Sequence, residues 1–280
     1  MKPKHLLFIL MIGIIISSCS PKTFYQVYKT QPIGDISTGD NSLKYEDENC
    51  ILIYDFWEYG GNIGFRFYNK TYDDIYVNLD KCFFILNGSS FNYFKHRVYT
   101  YSKGTGVSSI SSGTASVAVT GLNTYNLIQT NQLAATSTAE LMASRGYSVS
   151  YAEEMIVCIP AKTSKLISEY LINNTLIRDC DLYKYPKNKQ INTLIFTRDN
   201  SPLVFSNRIT YTVGDSEENI DFENEFFVAE ITNYPEDEIL ESKYGEFCGQ
   251  KSMLKDEYFK DAAPDKFYIE YNKGNDPWKH

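Results

Sequence analysis

Histidine is nearly absent from this chain, with 3 in 280 residues. Nucleophilic triads need a histidine or a substitute base beside the nucleophile, so little of that chemistry is open to it. No CxxC and no Cys/His cluster has the spacing of a zinc site. There is no GxSxG elbow, no HExxH, no Walker loop and no GxGxxG turn. Basic residues are also in deficit, 27 against 35 acidic, for a net charge of −8. A surface of that sign repels a phosphate backbone, so nucleic acid is not an expected partner. Glycine and proline, 16 and 9, are too few for a fibrous or linker protein. What is plentiful is apolar and aromatic: 43% hydrophobic residues, with 23 Tyr and 17 Phe against 2 Trp. That composition can fill a core and rules out a wholly disordered chain.

The first residues read as an export signal. Lys2 and Lys4 precede the uncharged run Leu6–Ile16, LLFILMIGIII. It is shorter than the roughly 20 residues of a spanning helix and has the proportions of a signal-peptide core. Ile16-Ser17-Ser18-Cys19 follows: an aliphatic residue, two small ones that admit a peptidase to the backbone, and a thiol. These four residues resemble the lipobox of bacterial lipoproteins. The resemblance implies cleavage before Cys19 and acylation of it, which would anchor the protein in the cell envelope by lipid. By the sorting rule of enteric bacteria, the non-Asp residue Ser20 favours the outer membrane. A single acyl chain holds only marginally, so the multiple acylation of such cysteines matters. Removing residues 1–18 takes away two lysines and no acid, leaving 262 residues with 25 basic and 35 acidic side chains, net −10. Farther on, Tyr25-Gln26-Val27-Tyr28-Lys29-Thr30 resembles a stretch just after the lipidated cysteine of uncharacterised envelope lipoproteins, to which no activity attaches.

Residues 19–44 are polar, with scattered Gly, Ser, Thr and Asp. They read as a tether lifting a domain off the membrane. From residue 50 the apolar period is two. CILIYDFW (50–57) is apolar on both faces, as a central strand is. In NIGFRFYN, Ile63, Phe65 and Phe67 share a face, and IYVNL and CFFIL repeat the pattern. Asn87-Gly88 ends that run with a hairpin turn, since both positions accept positive φ. Strand patterns resume at EMIVCIP (154–160) and continue through KLISEYLI, NTLIF, RITYTV and EFFVAEIT. PEDEILE (235–241) suits a short helix with acids at its positive end, and KFYIEYN (266–272) is a last strand. About ten short strands with turn signals predict an all-β fold, first an immunoglobulin-like β-sandwich spanning 45–235, with 236–280 as a C-terminal segment. The turns do not order the strands, and two smaller β domains would also fit. Residues 101–150 interrupt the pattern: 28 of 50 are Ser, Thr, Gly or Ala, and only Lys103, Glu140 and Arg145 are charged. They read as a long insertion with a weak helix near 131–144. Ser116–Thr120 alternates too briefly for a membrane strand.

Five cysteines follow Cys19. Cys50, Cys82 and Cys158 lie in apolar runs and read as small buried hydrophobes. Cys180 and Cys248 sit in wetter sequence and are the candidate disulfide, if the odd count leaves one.

The histidines after Cys19 are His96, flanked by Lys95 and Arg97, and the terminal His280; both read as surface residues. Acid pairs of the kind that hydrolyse glycosides occur at Glu153/Glu154, Asp179/Asp181 and Glu223/Glu225, as expected by chance in an acidic chain. The remaining chemistry is stacking. Trp57 and Tyr59 beside one turn, and Tyr93, Tyr99 and Tyr101 after the hairpin, are the candidate ligand-stacking residues. No cofactor or metal is expected. The reading as a whole is a lipid-anchored envelope protein that binds or assembles, its partner a membrane through Cys19 plus an envelope protein or glycan. Its rival is a glycan-acting hydrolase using one acid pair.

Overall fold

The structure, a computed structural model, describes residues 22–39, 42–105 and 145–274, with backbone alone at 101–105 and 145–149. Strand accounts for 55% of it, with one short helix. The strands in chain order are β1 (Thr23–Ile33), β2 (Ile36–Thr38), β3 (Leu43–Glu46), β4 (Cys50–Tyr54), β5 (Phe65–Asn69) and β6 (Ile75–Asn78). Next come β7 (Phe83–Leu86), β8 (Ser89–Asn92), β9 (Val98–Thr105), β10 (Arg145–Ala152), β11 (Ile156–Ile159) and β12 (Ser164–Ile167). The last are β13 (Thr193–Ile195), β14 (Val204–Val213), β15 (Ile220–Pro235), β16 (Leu240–Phe247), β17 (Gln250–Phe259) and β18 (Lys266–Asn272), with helix α1 (Glu236–Ile239) between β15 and β16.

These make several antiparallel sheets, one curled into a half-barrel. A nine-stranded sheet runs β11-β6-β14-β15-β1-β18, with β13 on β15, β7 on β14 and β8 on β7. A five-stranded sheet runs β12-β5-β4-β3-β2. Two further pairs stand alone, β9 with β10 and β16 with β17. The period of two explains which faces meet. Phe65 and Phe67 are buried while Arg66 between them is exposed, and Phe205, Ile209 and Tyr211 are buried around exposed Arg208. The two large sheets share one aromatic core. Tyr54 meets Phe226 at 5.2 Å, Phe56 meets Phe226 at 5.0 Å and Phe67 meets Tyr211 at 5.6 Å, all edge to face. Each such ring removes apolar area worth about 2 kcal/mol from water, and its geometry adds about 1 kcal/mol.

The Asn87-Gly88 turn is as the sequence predicts: φ is +47° and +80°, and Leu86 pairs with Ser89 across it. The tether is not. Residues 23–33 form β1, an inner strand of the larger sheet, hydrogen-bonded between β15 and the edge strand β18. Tyr28 is wholly buried and Gln26 is 1% exposed. Part of the polar look of this segment comes from inward-facing groups that have partners, Gln26 and Thr30, while Asp35, Ser37 and Thr38 are exposed. Gln26 Nε2 donates to the Ile177 carbonyl and to Asn233 Oδ1, each at 2.9 Å, while Gln26 Oε1 accepts from the Ile177 N–H at 2.8 Å and from Tyr28 Oη. The expected domain limits change in the same way, because β18 from the C-terminal segment pairs with β1 and completes this sheet. The strand expected across KLISEYLI stops at Ile167, where Ser168 turns to donate to Asn62 Oδ1 at 2.9 Å. Within 101–150 the two ends pair as β9 and β10, from Val98 opposite Ala152 to Thr105 opposite Arg145. The expected helix at 131–144 and the alternation at 116–120 lie outside the described residues.

Candidate functional site: an aromatic platform and two ribbons

The loop 55–62 delivers Trp57 and Tyr59 to a common place. Asp55 Oδ1 accepts from the Trp57 N–H at 3.1 Å, and the Gly60 N–H donates to the Tyr268 carbonyl at 2.8 Å. Gly60 and Gly61 turn the chain with φ of +76° and +71°. Trp57 then packs on Tyr268 at 5.2 Å and edge-on to Phe259 at 5.0 Å, while Tyr59 meets Tyr268 at 6.3 Å. Tyr25 closes the group against Phe259 at 5.5 Å. Burial, with help from the Glu270 and Glu236 charges, pushes the Tyr25 phenol up to about 12. Tyr59 remains 42% exposed, so the platform has an open rim.

Phe259 is also the root of the β16–β17 hairpin. Its pairing runs from Leu240 opposite Phe259 to Phe247 opposite Gln250 around a Cys248-Gly249 turn at φ +51° and +78°. Between Tyr244 and Glu246 the register shifts, because Ser252, Met253 and Leu254 bulge from β17. There the Leu254 N–H donates to Ser252 Oγ at 3.1 Å. Phe247, Met253 and Leu254 are 83%, 98% and 75% exposed. An isolated two-stranded hairpin gains little from its own pairing, and exposed apolar side chains add nothing in water.

The second ribbon, β9–β10, is fastened at its root. Arg97 Nε donates to Glu153 Oε1 at 3.0 Å and Arg97 Nη1 to Glu169 Oε1 at 2.8 Å. Glu153 Oε2 accepts the Lys95 and Arg97 N–H groups at 2.9 and 3.1 Å. Burial works against the Glu153 charge, but Arg97 and these backbone donors outweigh it and hold the carboxyl below its ordinary range. Lys95 Nζ reaches Glu169 at 2.7 Å. Tyr99 stacks on Tyr151 at 5.4 Å across the ribbon. A cavity of about 210 Å³ opens here between Tyr93, Arg97, Tyr99, Glu153 and Glu169.

The candidate stacking residues therefore divide. Trp57 and Tyr59 share the platform. Tyr93 belongs to the core, 2% exposed, its Oη donating to Asn207 Oδ1 at 2.7 Å. Tyr99 lies on the β9–β10 ribbon, and Tyr101 pairs there with Val149, its side chain outside the described residues. Cys19 is likewise outside them. Cys50 and Cys82 are buried as the sequence predicts, Cys158 is half-buried, and the exposed Cys180 and Cys248 are both free, without the bridge considered for them. His96 is exposed, with its ring 4.2 Å from Phe94. In the acid pairs, Asp179 accepts from the Asp181 N–H at 2.8 Å, Glu223 from Ser206 Oγ at 2.6 Å and Glu225 from Arg198 Nε at 2.6 Å. Of these acids Glu153 and Glu154 both line the cavity at the ribbon root, where Glu169 joins them, bound to Glu153 through Arg97. Sequence reasoning missed Arg97, Glu169, Tyr268 and the whole β16–β17 hairpin. The Cys-Gly turn was the hairpin's one local signal. Compared with known protein families, curated proteins and solved structures, the chain matches none.

Proposed function

We propose that this protein is a lipid-anchored component of the bacterial cell envelope, held through Cys19, that works by binding or assembly rather than catalysis. The observation that carries the binding half is the β16–β17 hairpin, which leaves the aromatic platform with Phe247, Met253 and Leu254 in solvent. The two-sheet body is the scaffold that presents it. Facing sheets support an immunoglobulin-like form for that scaffold; nine and five strands are more than the about seven to nine of that fold. The anchor half rests on Ile16-Ser17-Ser18-Cys19 and on its position, three residues before Lys22. The outer membrane is the proposed membrane, and an envelope protein or glycan the proposed partner.

Membrane fractionation of the Cys19→Ala variant tests the anchor: release from the membrane is expected, and unchanged retention would overturn it. Native gels of gently extracted protein test the hairpin. Replacing residues 241–258 by a two-residue turn should shift the protein to a smaller species, and an unchanged mobility for the complex would remove the hairpin from the proposal.

A further inference from the structure

The loss of the expected tether has a consequence for where the body sits. Cys19 stands three residues before Lys22, and a chain spans at most about 3.5 Å per residue. A lipid on Cys19 thus holds the start of β1 within about 10 Å of the anchor point. That end of the body has a distinctive surface. Lys22, Lys187 and Lys273 are exposed there. The Lys273 N–H donates to the Lys22 carbonyl at 2.9 Å, and Lys22 and Lys187 line a cavity of about 540 Å³ with Phe24, Asn188, Glu236 and Asp237. Tyr185 lies under two cations, 5.2 Å from Lys184 Nζ and 5.8 Å from Lys273 Nζ, and its ring meets Phe24 at 5.2 Å. Lys22, Lys184, Lys187 and Lys273 stand here beside Glu236, Asp237 and Glu238, the last accepting from Asn188, so among the described residues this end escapes the acidic excess of a chain that carries −10 once residues 1–18 are removed.

We infer that this end is a docking face for the anionic lipid headgroups of the membrane in which Cys19 is anchored. The chemistry fits on three counts. The lysines match headgroup phosphates in sign, aromatic rings beside them suit the interfacial zone, and the acidic remainder of the body is repelled from the same surface. The lipid supplies the proximity that a patch of this size needs, since a few basic residues bind a bilayer weakly unless a second signal holds them there. The inference rests on the proposed anchor. Its result is a body that lies against the bilayer by the start of β1, with the opposite end of that strand turned away.

The test uses the full, natively processed protein reconstituted into vesicles of phosphatidylcholine with or without one quarter phosphatidylglycerol. Cys180 and Cys248 are changed to serine, and a fluorophore is placed at Asn188→Cys in the patch or at Asp35→Cys beyond the far end of β1. A nitroxide on the lipid headgroup reports proximity. The expected result is quenching at 188 in the phosphatidylglycerol vesicles, well above that at 35. Each lysine near an anionic surface is worth about fivefold in occupancy. The pair Lys22→Glu with Lys273→Glu should therefore lower the ratio of docked to undocked protein by about 25-fold or more. Flotation with the vesicles reads the anchor separately. Protein that floats but shows equal quenching at both positions, or quenching indifferent to charge reversal, overturns the docking face alone. Protein that does not float overturns the anchor and the docking face together.

Discussion

Glu153 and Arg97 hold each other twice, once by backbone and once by side chain. The Glu153 N–H donates to the Arg97 carbonyl at 2.8 Å, and Arg97 Nε returns a hydrogen bond to Glu153 Oε1 at 3.0 Å. The side chains are 7% and 15% exposed, so this pair is shielded from water as surface pairs are not. It sits where β9 and β10 leave the body and fixes the angle of the ribbon.

Glu153→Gln should therefore loosen that root. A charged hydrogen bond with little water around it contributes about 1–3 kcal/mol, and the melting temperature should fall accordingly at neutral pH. The acid's folded pKa lies below its ordinary 4.5. Its contribution is thus complete above that value and is lost as pH falls through the lower folded one. Thermal melts of wild type and variant from pH 7 down to 3 should converge at the acid end. A gap that stays constant with pH would show that the charge of Glu153 contributes nothing.

Gly61 supports the aromatic platform from below. Its φ is +71°, and a Cβ there would stand 2.7 Å from Phe267 Cγ and 2.9 Å from Ile172 Cδ1. Both are packed core side chains, so neither can yield cheaply. Gly61→Ala is expected to cost about 2–4 kcal/mol in urea unfolding, from a strained backbone plus overpacking. Gly88→Ala, where φ is +80° but no atom lies within 4 Å, should cost only the backbone part, about 1 kcal/mol. Equal losses at the two positions would mean that the contact with Phe267 is immaterial.

The comparison of sequence with structure divides along contact distance. Asn87-Gly88 was legible because a two-residue turn is decided by its own φ preferences. Phe65 and Phe67 were legible because a half-buried strand advertises its period. Strand β1 was not, because what makes Gln26 and Thr30 acceptable inside the sheet are the backbone groups of Ile177 and Asp265, far along the chain. The β16–β17 hairpin escaped for the opposite reason: it has no buried face, so no apolar period betrays it. Trp57 and Tyr59 were correctly linked as neighbours of one turn, but their partners Phe259 and Tyr268 lie some two hundred residues on. Tyr93 carried no local mark that would distinguish a core ring from a binding ring.

The pairing of β9 with β10 makes residues 106–144 replaceable. Thr105 lies opposite Arg145, so Asn-Gly can join them as a two-residue turn. The shortened protein should unfold cooperatively with a melting temperature within a few degrees of the parent, since the two chain ends to be joined already lie paired in the ribbon. Calorimetry decides this. Loss of a single cooperative transition would place residues 106–144 among the determinants of the body's stability.

The final prediction separates a tether from a strand at Gln26. In a tether, Gln26→Leu changes only the solvation of one side chain and stability stays within about 0.5 kcal/mol. In the observed sheet it strips the Ile177 N–H and carbonyl, Asn233 Oδ1 and Tyr28 Oη of a partner at one stroke. Leucine fills most of the volume and repays part of the loss by burial, but each buried polar group left alone costs about 1–3 kcal/mol. Tyr28 Oη keeps other neighbours, donating to the Thr175 carbonyl and accepting from Asn173 Nδ2, both at 3.3 Å, and it still accepts from the Ile177 N–H at 3.4 Å. The full penalty therefore falls on the Ile177 carbonyl and Asn233 Oδ1, and the Ile177 N–H keeps only its longer bond. A net loss of about 2–4 kcal/mol follows. Equilibrium urea denaturation measures it, and hydrogen exchange should localise the weakening to the Ile177 amide. A variant as stable as the parent would return residues 23–33 to the status of a linker. The docking of the start of β1 on the bilayer would then lose its geometric basis, because only a strand fixed in the sheet holds the body within reach of Cys19.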